Sequence, residues 1–221
     1  MVVSGPDPAR QASHDQLAAR LRDPVLAGER LLPVFQAFAG LLPDRGLRRG
    51  SVTAVTGSHA LALALVAEAS RTGSWVAVVE VEDLGIVAAH ELGLALERLA
   101  LVPAPGRRWA DAIATMLDAV DVVMLRPPAR TSPTVLRRLA ARARERGAVL
   151  VPLSPWPEAD VRLELARSVW LGLERGHGRL QARQALVRAS GRGAAGGGRR
   201  AWLWLPDDQN RVRPAELGDR R

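Results

Sequence analysis

Short apolar runs alternate with longer amphipathic stretches along the middle of the chain. The runs are rich in valine and leucine and predict buried strands. They are Ser51–Thr56, Trp75–Val81, Leu99–Val102, Asp121–Leu125 and Ala148–Leu153. The stretches between them have helical periodicity, and they cover residues 60–70, Ile86–Leu94, Arg108–Ala119 and Pro133–Arg146. This alternation predicts an α/β fold in which a mainly parallel, twisted sheet is covered by helices on both faces.

The last third of the chain has a different pattern. Three strand-like runs, Ser168–Leu173, Leu180–Ala189 and Arg200–Leu205, follow one another without an intervening helical stretch. Such runs predict an antiparallel extension of the same sheet. The glycine-rich octet Gly191–Gly198 lies between the last two, and its composition is typical of a flexible turn.

The ends of the chain suggest three regions. Residues 1–27 are expected to form a polar arm with a short helix at Gln16–Arg22. A second helix is predicted over Gly28–Leu42, at the start of one core domain that spans residues 28–206. The polar segment 207–221 is expected to be a mobile tail.

The composition excludes several kinds of chemistry. The chain has no cysteine, and all 31 of its basic residues are arginine, so a disulfide, a thiolate metal site and a lysine Schiff base are impossible. No metal or cofactor is expected. The net charge of +8 fits either nucleic-acid binding or the arginine usage of a GC-rich coding sequence. No signal peptide or membrane span is evident, so we expect a cytoplasmic protein.

The run LRRGSVTAVTGSHALALALVAEASRTGSWVAVVEVED resembles the RecA family, and the order of elements continues to match over roughly residues 30–206. In that family the first strand leads into a phosphate loop, G-x-x-x-x-G-K-[ST], whose lysine and hydroxyl contact phosphate and magnesium. Here only Gly57 remains. Ala62 replaces the second glycine, Leu63 the lysine and Ala64 the hydroxyl residue. The resemblance therefore implies a RecA-like fold that has lost ATP binding and hydrolysis.

A second position of the resemblance points the same way. After the strand VDVVML the family carries an acid that orients magnesium, whereas this chain has Arg126. Glu82 lies near the position of the family's water-activating glutamate, and we expect it to be a solvated strand end. The two DNA-binding loops of the family correspond to short proline-rich connectors, Arg126–Pro133 and Ser154–Val161.

Candidate contact residues cluster late in the chain. Trp202 and Trp204 share one face of the terminal strand, which indicates either core packing or a surface for a partner or for stacked bases. Arginines that accompany them are Arg199, Arg200, Arg211 and Arg213. The helix around residues 135–147 also carries five arginines, which either solvate its outer face or contact DNA.

A small RecA-like chain without the ATP motifs or the long DNA loops resembles the actinobacterial ImuA-type (ImuA-prime) family. That resemblance implies an accessory protein of the damage-inducible mutasome, with an ImuB-like pseudo-polymerase and an error-prone C-family DNA polymerase as partners in translesion synthesis. The alternative is a SulA-like division inhibitor that binds the tubulin-like division protein. Direct DNA contact and self-association stay open.

Overall fold

The computed structural model describes residues 30–81, 83–174 and 177–215, which form a mixed α/β structure. Its strands are β1 Leu31–Leu32, β2 Leu47–Arg48, β3 Thr53–Thr56, β4 Val76–Val79, β5 Leu99–Val102, β6 Val122–Leu125, β7 Val149–Pro152, β8 Val161–Glu174, β9 His177–Gly191, β10 Arg199–Trp204 and β11 Arg213–Pro214. Its α-helices are α1 Gln36–Ala39, α2 His59–Arg71, α3 Ile86–Glu91, α4 Trp109–Ala119 and α5 Pro133–Arg146.

Two sheets meet edge to edge in the middle of the molecule. One has the order β5-β4-β6-β7 and is parallel throughout. In the other, β3 pairs in parallel with β8, and β8, β9, β10 and β11 continue as an antiparallel series. A parallel bridge between Val52 and Leu150 joins the two. The predicted parallel strands and antiparallel extension are thus confirmed.

Helices cover both faces of the parallel strands. Along β4, Val76 and Val78 point into one hydrophobic cluster, which includes the buried side of α2. Ala77 and Val79 point into a second cluster, with residues of α4 and α5. Because successive strand residues point to opposite faces, a strand that is apolar at every position must be covered on both sides.

The predicted helix Gly28–Leu42 is wrong in the part that the structure describes. Leu31–Leu32 is instead a short strand that pairs antiparallel with Leu47–Arg48, and only Gln36–Ala39 is helical. The apolar positions have helical spacing, but Pro33 lacks the N–H that a helix interior needs. The predicted arm 1–27, with its helix Gln16–Arg22, lies outside the described residues.

The glycine-rich octet is more ordered than its composition suggests. Residues Gly193–Ala195 form a turn of 3₁₀ helix, and Ala195 is buried in the first cluster. At Gly191 the backbone passes so close to β8 that a Cβ atom would lie 2.2 Å from the carbonyl oxygen of Asp160. This part of the chain is therefore a packed connector.

Residues 207–221 are predicted to form a mobile tail, but the first part of this segment is ordered in the structure. Asp207 is 1% exposed, and Arg213–Pro214 adds a strand to the edge of the antiparallel half. The sequence from residue 216 onward lies outside the described residues. Among the residues that are described, no helix is long and apolar enough to cross a membrane.

Candidate functional site

The carboxyl ends of the parallel strands are the place where α/β proteins usually bind ligands. At this edge β3 is followed by Gly57, β4 by Glu80 and β6 by Arg126. Gly57 has a φ of +85°, a left-handed conformation that suits glycine, and a Cβ atom there would lie 3.2 Å from the carbonyl oxygen of Leu165. The chain can therefore turn sharply from β3 into α2.

The positions that correspond to a phosphate loop lie inside a helix. Only Gly57 and Ser58 separate the end of β3 from His59, where α2 begins, so no extended loop is present between the strand and the helix. Ala62, Leu63 and Ala64 fall within the first two turns and are 0%, 2% and 0% exposed. Their side chains belong to the first hydrophobic cluster, so none of the three reaches the surface.

Three charged or polar side chains meet at the start of α2. Nη2 of Arg126 donates a hydrogen bond to Nε2 of His59, and it also lies 3.7 Å from Oδ1 of Asp83. Nδ1 of His59 lies 3.6 Å from Oδ2 of Asp83. Arg126, which the resemblance places at the position of the magnesium acid, thus has partners in its own chain.

Ser58 has other hydrogen-bond partners than this group of side chains. Its hydroxyl oxygen accepts hydrogen bonds from the N–H of Leu61, at 3.2 Å, and from Nη1 of Arg183, at 3.4 Å. The first of these contacts is the N-cap of α2. Within the described chain, no hydrogen bond joins Ser58 to the ring of His59.

Arg183 is a site residue that the sequence pattern did not reveal. It extends from β9 to Ser58 and to the hydroxyl of Ser168, at 3.2 Å, and its guanidinium lies 5.4 Å from the ring centroid of Trp170. Burial lowers the pKa of this guanidinium from its ordinary value. Its position depends on the register of the β8–β9 hairpin, which shifts at two places, and no local motif encodes that register.

Of the three acidic residues after β4, the structure describes Glu80 and Asp83. Glu80 has a φ of +60°, and its Oε2 atom is buried without a hydrogen-bond partner in the described structure. Glu82 lies outside the described residues. The connectors after β6 and β7 are short, as the sequence predicted, because α5 begins at Pro133 and β8 at Val161.

The predicted contact residues of the last strands have mostly structural positions. Trp204 is 7% exposed, and the guanidinium of Arg213 lies 5.1 Å from its ring centroid. Arg199 donates a hydrogen bond to the carbonyl oxygen of Leu42. Trp202 is half-buried, and Arg200 is exposed opposite Arg188 in β9. Arg200, Trp202 and Trp204 thus lie on one face of β10, with Arg213 against the ring of Trp204, whereas Arg199 lies on the opposite face of the strand.

Asp207 holds the segment that follows β10. Its carboxylate accepts hydrogen bonds from the N–H groups of Gln209 and Arg211, and from Nε of Arg213 at 2.9 Å. Nε of Arg211 lies 3.5 Å away. Burial alone would raise the pKa of Asp207, but these donors and charges together lower it below its usual range. The sequence Asp-Asp-Gln-Asn is a turn signal that could have indicated this Asx-type turn.

Comparison with known proteins identifies the family of the chain. The family described as MT3502 N-terminal domain matches residues 40–158, which is more than half of the 221 residues. The chain belongs to this family. The MT3502 N-terminal domain region contains the parallel strands, α2 and Arg126, whereas the long β8–β9 hairpin and the strands after it lie beyond the match.

A protein from Mycobacterium tuberculosis is similar to this chain over a segment of comparable length. It is described as uncharacterized protein Rv3395c and is 34% identical over 116 residues. The aligned region covers 52% of this chain and 57% of the relative, so the chain matches only a little over half of that protein's length.

Proposed function

We propose that the chain is a non-catalytic adaptor with a RecA-like fold, acting in the cytoplasm as an accessory protein of the damage-inducible mutasome. In this role it scaffolds an ImuB-like pseudo-polymerase and an error-prone C-family DNA polymerase during translesion synthesis and induced mutagenesis. It works by binding these partners and uses no nucleotide.

The observation that carries the non-catalytic part is the burial of Leu63 in α2. An ATP phosphate needs an ammonium or guanidinium group within contact distance, and it needs backbone N–H groups presented by an open loop. At this place the chain has a helix whose first turns are packed in the core. Arg126 at the magnesium position already has His59 and Asp83 as partners. Both changes act against the binding of magnesium and ATP.

Three features support the RecA-like part of the proposal. The first core strand, β3, lies where the two sheets meet and leads through a sharp turn directly into α2. The strands from β4 to β7 are parallel and are connected by helices, as the resemblance implies. A meander of antiparallel strands then extends the sheet from β8.

The mutasome part rests on the resemblance to ImuA-type proteins. The match to a mycobacterial protein fits an actinobacterial family of this kind. An adaptor needs a stable fold with free surface, and the described chain has exposed apolar residues at several separate places, such as Val87, Leu101 and Trp170.

The test is reconstitution from purified full-length proteins of one organism. The chain is mixed with the ImuB-like pseudo-polymerase and, in a parallel sample, with the tubulin-like division protein, and complexes are measured by size-exclusion chromatography with light scattering. We expect a complex with the pseudo-polymerase that is the same with and without Mg-ATP. A complex with the division protein alone would replace the proposal by the SulA-like alternative, and binding to neither would contradict both.

A further inference from the structure

A groove lies at the amino edge of the sheet, opposite to the edge at which β3, β4 and β6 end. It runs between the β2–β3 turn, the last turn of α5 and the connector after β9. The charged residues that line it are Arg48, Arg49, Arg144, Arg192, Asp44 and Asp160. Four guanidinium groups and two carboxylates give this amino-edge groove a net positive charge.

Close backbone packing brings the arginines together. Gly50, in the β2–β3 turn, has a φ of +74°, and a Cβ atom there would lie 3.1 Å from Cα of Arg144. The turn therefore rests directly on the end of α5. As a result, Arg48 and Arg49 line the same groove as Arg144, although they are far apart in the sequence.

The two carboxylates halve the positive charge of the four arginines and leave the groove with a net charge of +2. Oδ2 of Asp160 accepts a hydrogen bond from the N–H of Val52 at 2.9 Å, and its Oδ1 lies 3.5 Å from Nη2 of Arg192. Arg49 is paired outside the groove lining, with Asp121 at 3.0 Å, and its Nε atom is buried without a partner in the described structure. Among the residues that the structure describes, the side chains of Arg48 and Arg144 form no hydrogen bond and no ion pair.

The arginines of α5 are not equivalent. Arg142 and Arg146 pair with Asp118 on α4, and Nη1 of Arg137 lies 3.9 Å from Glu158. Arg144 alone among the five lines the groove, and Arg138 is exposed on the outer surface. The helix that the sequence marked for its arginine content thus contributes one cation to the amino-edge groove.

A second groove adjoins the first along this edge. It shares Arg49 and is also lined by Arg98, which donates a hydrogen bond to the carbonyl oxygen of Gly73, and by Asp121, the ion-pair partner of Arg49. The arginines of the two grooves that form no ion pair within the described residues are Arg48, Arg98 and Arg144, and separate cations of this kind fit a ligand that carries a series of negative charges better than they fit a single anion. Guanidinium groups form paired hydrogen bonds with phosphate oxygens, and contacts of this kind hold a nucleic-acid backbone without reading its sequence.

We propose that the amino-edge groove binds the phosphodiester backbone of single-stranded nucleic acid, with Arg48 and Arg144 as the principal contacts. This inference goes beyond the proposed adaptor role and does not depend on it. An adaptor with this groove would hold template strand while its opposite edge and hairpin stay free for protein partners.

The test compares two double variants that each remove two exposed arginines. One is Arg48→Ala with Arg144→Ala, in the groove. The other is Arg137→Ala with Arg138→Ala, on the same helix as Arg144 but outside the groove. The affinity of the full-length protein for a fluorescein-labelled single-stranded oligonucleotide is measured by fluorescence anisotropy at several NaCl concentrations, and circular dichroism verifies that each variant is folded.

We expect the groove variant to bind about tenfold more weakly at 0.1 M salt. The slope of log K against log salt should become shallower by about 1.4, since each contact to a single strand contributes about 0.7. The control variant should stay within about twofold of the original protein. Equal losses in the two variants would show that net charge alone attracts the oligonucleotide, and absence of binding by the original protein would also overturn the proposal. Neither result depends on the pseudo-polymerase, so the adaptor proposal is tested separately.

Discussion

The guanidinium of Arg126 donates a hydrogen bond to the ring of His59, and this contact joins the end of β6 to the first residue of α2. Under the proposed RecA-like fold, these residues correspond to the phosphate loop and to the magnesium acid. In this chain the charge of Arg126 is shared between His59 and Asp83. Arg126 and Asp83 nevertheless keep much of their side chains exposed, at 44% and 64%.

Restoring the lysine of a phosphate loop should not restore nucleotide binding. Leu63 is 2% exposed inside α2, so Leu63→Lys places an ammonium group in the hydrophobic cluster. We expect a loss of about 3 kcal/mol or more in the free energy of unfolding, measured with urea, and no binding of Mg-ATP. Arg71→Lys, on the exposed end of the same helix, should change the stability by less than about 1 kcal/mol. A stable, ATP-binding Leu63→Lys variant would mean that the loop and helix are arranged differently.

Asp207 should stabilise the edge of the antiparallel half. Replacing it by asparagine removes the charge that faces Arg211 and Arg213, and we expect a cost of about 1–3 kcal/mol in urea unfolding at neutral pH. Asp208→Asn is the matched control, because Asp208 is exposed and next in sequence. It should be neutral, and equal effects at the two positions would argue against the Asp207 contacts.

The carboxylate of Asp207 should also make the free energy of unfolding depend on pH. The pKa of Asp207 is lower in the folded chain than its ordinary value of about 3.9. Its contribution is therefore complete above about pH 4 and is lost as the pH falls through the lowered value. The stability difference between the original protein and Asp207→Asn should be constant from pH 7 to about 5 and should shrink in more acidic solution. A difference that grew on acidification would have the wrong sign.

Gly191 and Gly197 should respond in opposite ways to the same substitution. Gly191→Ala would place a methyl group 2.2 Å from the carbonyl oxygen of Asp160 and 2.7 Å from Cβ of Ala195, and neither atom belongs to a flexible side chain. We expect a cost of about 1–3 kcal/mol. Gly197→Ala has no atom within 4 Å and should be neutral or stabilising by up to about 1 kcal/mol. Thermal unfolding of both variants distinguishes a packed connector from a flexible one, for which the two would behave alike.

Asp121 should be among the most important polar residues for stability. Its carboxylate is 8% exposed and accepts hydrogen bonds from the N–H of Trp75, at 2.8 Å, and from Nη1 of Arg49, at 3.0 Å. Removing one partner of a buried pair leaves a desolvated cation, so Asp121→Ala should cost about 3–5 kcal/mol in chemical denaturation. Glu158→Ala removes an exposed partner of Arg137, at 3.9 Å, and should cost less than about 1 kcal/mol. Similar costs for both would show that burial does not matter here.

The parallel strands could be predicted because they are short, largely apolar runs between helical stretches, a pattern typical of strands covered on both faces. Residues 31–32 were mispredicted as helix because Leu31, Phe35 and Phe38 also fit a helical period. Their pairing with Leu47–Arg48 is a tertiary contact, which local periodicity cannot show.

Part of the candidate site could be predicted from the sequence and part could not. A motif with fixed spacing marks the positions of Ala62, Leu63, Ala64 and Arg126, where the residue types differ from those of the motif. The contacts of Arg183 with Ser58 and Trp170 could not, because they depend on the β8–β9 register and its bulges. The amino-edge groove likewise arises from the packing of Gly50 on α5, between residues that are distant in the sequence.

The most direct test of the non-catalytic account is isothermal titration calorimetry of the purified full-length chain with Mg-ATP. The account predicts no heat of binding and no saturation up to millimolar nucleotide, because the loop positions are buried and Arg126 already has its partners. Saturable binding with a micromolar dissociation constant would contradict it.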